Sequence, residues 1–308
     1  MKHQISRILL AASLLCCGAR ALTACGSEDD LAPDYKNPSA NFQPAADDQS
    51  EEARLRRQFF GTTGSYLLFN DTIQREFLGV DINGDSRYFV ETVDLGYAIG
   101  TSVTSGISYS YTYLSSIEQK QQLTDFLLQY VQPHLTGVMR PYSWLVANVV
   151  TSYSQNSMGS TSVSRVYAAA NQRCIAVAGN YLIQQERTDA QRQTYAQRIL
   201  NIIIGQLAMN RSEAFGDFYK YSANYYSTDY SRAGFDGQPS ASELRQLGFL
   251  SSTSSTSFPS MTNDLNTYAT LVVQNTEEQL AKTYAAYPLV LQKAAVVRQV
   301  LIGLGYVF

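Results

Sequence analysis

Thr188-Asp-Ala-Gln-Arg-Gln-Thr-Tyr-Ala-Gln-Arg-Ile199-Leu-Asn-Ile-Ile-Ile204-Gly-Gln-Leu-Ala-Met-Asn210 is the stretch on which the fold turns. Ile199, Leu200, Ile203, Ile204 and Leu207 recur at helical spacing, and Thr188 or Asp189 can cap the first turn. Residues 186–210 therefore read as one long helix with an apolar face. The character of the chain differs on its two sides.

Upstream, short runs alternate with turn residues. Ser50–Phe60 reads as a short helix stopped by Gly61. Tyr66–Phe69 reads as a strand ending at the turn pair Asn70-Asp71. Ile107–Tyr113 alternates strictly, with an apolar or aromatic face and a hydroxylated one. Leu123, Phe126, Leu127, Tyr130 and Val131 form a helical stripe over Ile117–Val131, and Pro133 closes it. Trp144–Val150 reads as a buried strand, and Val163–Val177 continues the strand-rich segment. Downstream, Arg211–Gln238 is irregular and rich in tyrosine, and Ser240-Ala-Ser-Glu243 resembles a capping box. Ser251–Ser260 is a polar loop, and Thr262–Leu280 and Leu289–Leu301 read as the last helices, interrupted at Pro288. The pattern predicts an α+β domain over residues 51–308, a mixed sheet followed by C-terminal helices.

The N-terminus carries a different message. Lys2, His3 and Arg7 precede the apolar run Ile8–Ala19, which is too short to span a bilayer but suits a signal peptide. Leu22-Thr23-Ala24-Cys25 then resembles the bacterial lipobox, in which the cysteine sulfur receives a diacylglycerol and becomes the new N-terminus. The expected organisation is a lipoprotein signal peptide at 1–24, covalent lipid on Cys25, and a flexible tether over 25–50. Several acyl chains make such an anchor effectively permanent, at about 0.8 kcal/mol per buried methylene. The acidic run Glu28-Asp29-Asp30 resembles the export tag by which Bacteroidetes place lipoproteins on the outer face of the outer membrane. Pro33, Pro38 and Pro44 punctuate the tether, which lacks a periodic apolar pattern.

Cysteine and histidine usage limits the chemistry. Cys16 and Cys17 leave with the signal, so Cys174 is the one free thiol of the mature domain and no internal disulfide can form. In Cys174-Ile-Ala-Val-Ala178 it reads as a small buried hydrophobe. The mature chain holds one histidine, His134, beside Pro133 at a helix exit, so no Ser–His–Asp or Cys–His arrangement can be assembled. Asp81-Ile-Asn83-Gly-Asp85 resembles the start of a calcium loop, but Ser86 and Thr92 stand at the sixth and twelfth positions, where glycine and glutamate are needed. A polar turn between strands explains it better. Net charge is −3 with no basic stripe, which argues against nucleic acid. The 22 tyrosines suit an extracytoplasmic surface and could serve glycan contact, although many must be core.

The order of elements, with Phe59–Asp71 opening the domain, Pro141–Val150 as a strand, the long helix, and Asp264–Ala269 leading into the final helices, resembles the substrate-import-associated zinc metallohydrolase lipoproteins of Bacteroidetes. The resemblance implies a zincin-like metallopeptidase scaffold. That family carries His-Glu-x-x-His on the long helix, two zinc ligands one turn apart and a glutamate base. The matching stretch here is Gly205-Gln206-Leu207-Ala208-Met209, and Thr267 stands where a later acidic ligand is expected. Glycine offers no ligand atom and glutamine cannot accept a proton, so zinc is not expected. The resemblance therefore implies a catalytically inactive accessory or binding subunit of a nutrient import system for glycans or peptides. Its cleft would be lined by Gln206, Met209 and the tyrosines of Phe215–Tyr230. Its partners would be membrane lipid, an outer-membrane porter and a glycan-binding lipoprotein of the starch-utilisation type. Two alternatives stay open: a hydrolase using Glu213, Asp217 or Asp229, and a purely structural envelope scaffold.

Overall fold

The computed structural model describes residues 41–96, 106–155, 159–171, 173–252 and 254–308. The expected signal segment, Cys25 and the first part of the expected tether lie outside the described residues. In chain order, α1 (Glu51–Thr63) leads into β1 (Tyr66–Leu68), and β2 (Thr72–Val80) pairs with β3 (Ser86–Thr92) as a hairpin. β4 (Gly106–Thr112) precedes α2 (Ile117–Phe126). Then follow β5 (Ser143–Ala147), β6 (Val149–Gln155), β7 (Thr161–Val166), β8 (Ala168–Ala170) and β9 (Cys174–Ala178). The helical half comprises α3 (Asn180–Ile183), α4 (Asp189–Asn210), α5 (Gly216–Lys220), α6 (Ala241–Gln246), α7 (Met261–Gln274), α8 (Glu277–Thr283) and α9 (Pro288–Leu304).

The α+β class holds. The central sheet has the order β1-β5-β9-β8, with β1, β5 and β9 parallel and β8 antiparallel at the edge. Side chains alternate across it. Leu67, Trp144, Val146, Ile175 and Val177 face the helices, whereas Leu68, Leu145, Ala147, Cys174 and Ala176 face the other way. That second face is covered by the antiparallel sheet β4-β6-β7, which contributes Tyr109, Tyr111 and Val150. A strand covered on both faces has no polar side, so Ser143–Ala147 and Cys174–Ala178 are buried throughout and read as continuous apolar runs.

The long helix begins as its sequence demands. Thr188 is the N-cap, and Gln191 closes a reciprocal capping box. Tyr195, Ile199, Leu200, Ile203 and Ile204 are buried, and the Tyr195 hydroxyl donates to the Ala178 carbonyl. The helix expected over 262–280 divides into two. Asn275 is extended (φ −133°, ψ 144°), and Thr276 with Gln279 forms a capping box that starts α8. That local start signal outweighs a continuous apolar stripe.

Residues 41–50, expected to belong to the tether, dock on the domain instead. Phe42 packs against Tyr66 and Tyr142, with ring centroids 5.5 and 5.1 Å apart. Arg56 donates to the carbonyls of Phe42 and Leu67, and Arg57 donates to those of Ala45 and Asp48. A single aromatic in a polar stretch carries no periodicity, so its anchoring role is invisible before the receiving rings are assembled.

Candidate functional site

A groove of about 340 Å³ opens where three elements converge: the approach to β5, the turn from β8 to β9, and the C-terminal end of α4. Its apolar lining comes from Met139, Pro141, Ala170, Ile175 and Ile203. The polar lining is Arg140, Arg173 and Arg211 with Asn171, Gln206 and Asn210, and among the described residues no Asp or Glu contributes. Among the described residues none of these three guanidinium groups makes an ion pair. In a chain of net charge −3, this is a local concentration of uncompensated positive charge.

Each arginine is presented by backbone that the fold fixes. Asn171 accepts from the Arg173 and Cys174 amides at 2.9 and 2.7 Å and donates to the Asp94 carbonyl at 3.0 Å, pinning the β8–β9 turn. Arg173 also lies over the Tyr142 ring, 5.1 Å from its centroid. Arg140 follows a short 3₁₀ turn, Gly137–Met139, and its guanidinium crosses the end of α1 at Gly64. Gly64 is left-handed (φ 71°), and a Cβ there would meet Arg140 Nη1 at 3.1 Å. A cation at a helix C-terminus is favourable for the dipole. Arg211 is the C-cap residue of α4.

The residues expected from the metallopeptidase resemblance do not all meet. Gln206 lines the groove. Gly205 does not line it; a Cβ there would lie 3.6 Å from Asn266 Oδ1 on α7. Thr267 stays on α7, its hydroxyl donating to the Asn263 carbonyl at 2.7 Å. The side chains of Leu207, Ala208 and Met209 lie outside the described residues. The groove-facing pair one turn apart on α4 is Gln206 and Asn210, one residue on from positions 205 and 209.

The tyrosines of Phe215–Tyr230 do not line this groove, contrary to expectation. Tyr230 packs edge-on against Phe258, and Tyr226 against Phe249. These rings cover the apolar side of Arg211–Gln238, a segment with little regular structure of its own to bury. The carboxylates weighed for catalysis are exposed: Asp217 pairs with Lys220 at 2.6 Å, Asp229 with Arg232 at 3.5 Å, and Glu213 sits in a 3₁₀ turn. The Lys220 ammonium lowers the Asp217 pKa. The His134 Nδ1–H donates to the Val307 carbonyl, 2.7 Å away, and the ring stacks on Tyr306. Asp81 accepts from the Asn83 and Asp85 amides, as a polar hairpin turn does. Burial pushes the Cys174 thiol up to about 12. Among the described residues no three His, Cys, Asp or Glu side chains group as metal ligands, and no helix is long and apolar enough to cross a membrane.

A second charged centre went unnoticed in the sequence. Lys293 on α9 and Asp264 on α7 meet at 2.5 Å, with side chains 0% and 2% exposed. The Tyr226 hydroxyl donates to the same carboxylate oxygen at 2.8 Å, and Ser222 accepts from Lys293 at 3.0 Å. Phe218, Tyr226, Phe249 and Tyr268 place their rings 4.4 to 5.5 Å from the ammonium. Gly248 completes the wall: its φ is +80°, and a Cβ would meet Ser222 Oγ at 3.0 Å. Burial pushes the Asp264 carboxyl up and the Lys293 ammonium down, each countered in part by the other's charge. A lone lysine inside Leu289–Leu301 was the available signal, since such a charge must be paired if that face is buried.

No protein-family model matches the chain, and neither the curated proteins nor the solved structures searched give a match.

Proposed function

We propose that this chain is a lipid-anchored binding subunit, held through Cys25 at the outer membrane, that captures a ligand in the α4 groove for a nutrient importer without turning it over. The supporting observation is the groove itself, where Gln206 and Asn210 stand one helical turn apart beside three arginines that make no ion pair among the described residues. In a zincin-like reading these two amides take the places of the zinc-binding histidines, in a register one residue later than sequence order suggests. Leu207 then falls at the position of the base. Carboxamides are poor zinc ligands, and neither they nor leucine can take a proton from water. The chemistry left to such a groove is recognition.

The test titrates the lipidated protein against neutral and charged oligosaccharides and peptides, with Gln206→Trp to fill the groove. At least one ligand should bind and be recovered unchanged, and Gln206→Trp should abolish binding while the circular dichroism spectrum stays native. Hydrolysis of the bound ligand overturns the non-catalytic reading, and binding indifferent to Gln206→Trp overturns the site. Cys25→Ala should move the protein from the membrane to the soluble fraction.

A further inference from the structure

We infer that the ligand of the α4 groove is an acidic sugar, a uronate-type or otherwise anionic end of an oligosaccharide, held by Arg140, Arg173 and Arg211. The inference rests on the binding role proposed above and adds the chemical class of what is bound.

Charge is the first reason. Arg140, Arg173 and Arg211 all line one cavity to which no described carboxylate contributes, and among the described residues none of the three makes an ion pair. Converging like charges repel one another, and only an anion relieves that repulsion. Arginine's planar fork matches a carboxylate or sulfate with two parallel hydrogen bonds. Asn171 reinforces the case as a positioning residue: both ends of its amide hold the turn that carries Arg173, which keeps that guanidinium beside Tyr142.

The absence of acid from the lining also speaks against a zwitterion. A free amino acid or a peptide terminus bearing an ammonium would bring a cation among three others, with no carboxylate among the described lining residues to balance it. The remaining polar groups, the amides of Gln206 and Asn210, each offer a donor and an acceptor, which suits hydroxyl groups. Ile175, Ile203 and Met139 give an apolar surface for the C–H face of a ring. The volume of about 340 Å³ lies at the low end of small-molecule pockets, enough for the end of a chain but not its length.

The experiment is calorimetric titration of the full mature protein with four probes: trigalacturonate, neutral galactotriose, a sulfated chondroitin disaccharide and inorganic phosphate. A zwitterionic tripeptide serves as a fifth. Trigalacturonate or the sulfated disaccharide should bind, and whichever is tighter identifies the anionic group. Galactotriose should bind at least about tenfold more weakly, and affinity should fall as salt rises. Arg173→Ala and Arg211→Ala should each weaken the acidic probe by about ten- to hundredfold, the range of a charge-assisted hydrogen bond. Arg173→Lys should recover only part, because a point charge replaces a fork.

Equal affinity for galactotriose, or an acidic-probe affinity unchanged by both arginine substitutions, overturns the inference. So does tighter binding of the tripeptide, or phosphate binding as tightly as either sugar. In those cases a ligand displaced by Gln206→Trp still upholds the binding role, so failure of the class and failure of the site remain distinguishable.

Discussion

The groove and the Lys293–Asp264 centre both gather charge against aromatic or apolar walls, yet they are opposites. In the centre every charge has its partner: the ammonium and carboxylate touch at 2.5 Å, Tyr226 and Ser222 complete their hydrogen bonds, and water is excluded. In the groove Arg140, Arg173 and Arg211 are exposed and have no carboxylate partner among the described residues. Satisfied charge at 0% exposure can hold α7 and α9 together but meets no ligand. Unsatisfied charge at a surface does little for stability and is free to recognise something. The same residue classes thus divide between architecture and function according to burial and pairing.

The largest effect that could break this contrast is Lys293→Met. It strands Asp264 in the core and should cost about 3–5 kcal/mol in urea unfolding. A loss below about 1 kcal/mol would mean that the centre is not structural. The double replacement Lys293→Met with Asp264→Leu should regain most of that stability, since neither charge is then left alone. Tyr226→Phe comes next: losing one hydrogen bond to a buried carboxylate should cost about 1.5–3 kcal/mol in the same unfolding measurement. Arg173→Ala and Arg211→Ala sharpen the contrast from the other side. Each should change unfolding free energy by no more than about 0.5 kcal/mol. If either destabilises as Lys293→Met does, the groove arginines are structural and the division fails.

A pH dependence of stability seen only at alkaline pH, and absent at neutral pH, concerns Cys174, buried between the two sheets. Its folded pKa is raised from 9.0 to about 12, so the neutral thiol is favoured by folding. That contribution is complete below pH 9 and is lost as pH rises toward 12, with a slope of at most about 1.4 kcal/mol per pH unit. Cys174→Ala should lack this component of the alkaline stability loss, and the native thiol should resist alkylation at pH 8 until urea unfolds the chain. Rapid native labelling would show that the sheets do not cover it.

Much of the architecture was legible along the chain. Alternation marked Ile107–Tyr113, apolar runs marked β5 and β9, and Thr188 and Ser240 marked helix starts, because these signals act within a few residues. The hairpin turn at Asp81–Asp85 was readable for the same reason. What escaped was non-local. Phe42 looked like tether until Tyr66 and Tyr142 came together beneath it. Asp264 carried no local signal of its role, because its partner lies on α9 and the two helices must pack before the charges meet. Gly205 and Met209 were expected at the ligand positions, whereas Gln206 and Asn210 line the groove, since spacing along a helix does not say which way the helix is rotated.

The sequence by itself determined the class and the inventory. Periodicity and caps specify an α+β chain, and residues 51–308 hold one histidine, His134, and one cysteine, Cys174, which cannot make the two-histidine zinc site of the resembled family. Only the tertiary structure decided which charges meet. Arg140, Arg173 and Arg211 are far apart in the chain, and nothing local distinguishes them from other arginines. They converge because β5 and β9 are parallel neighbours, so their entries share one end of the sheet, and α4 ends across that same end. Strand order and helix rotation are set by burial of apolar faces throughout the domain, and with them the position of every charge.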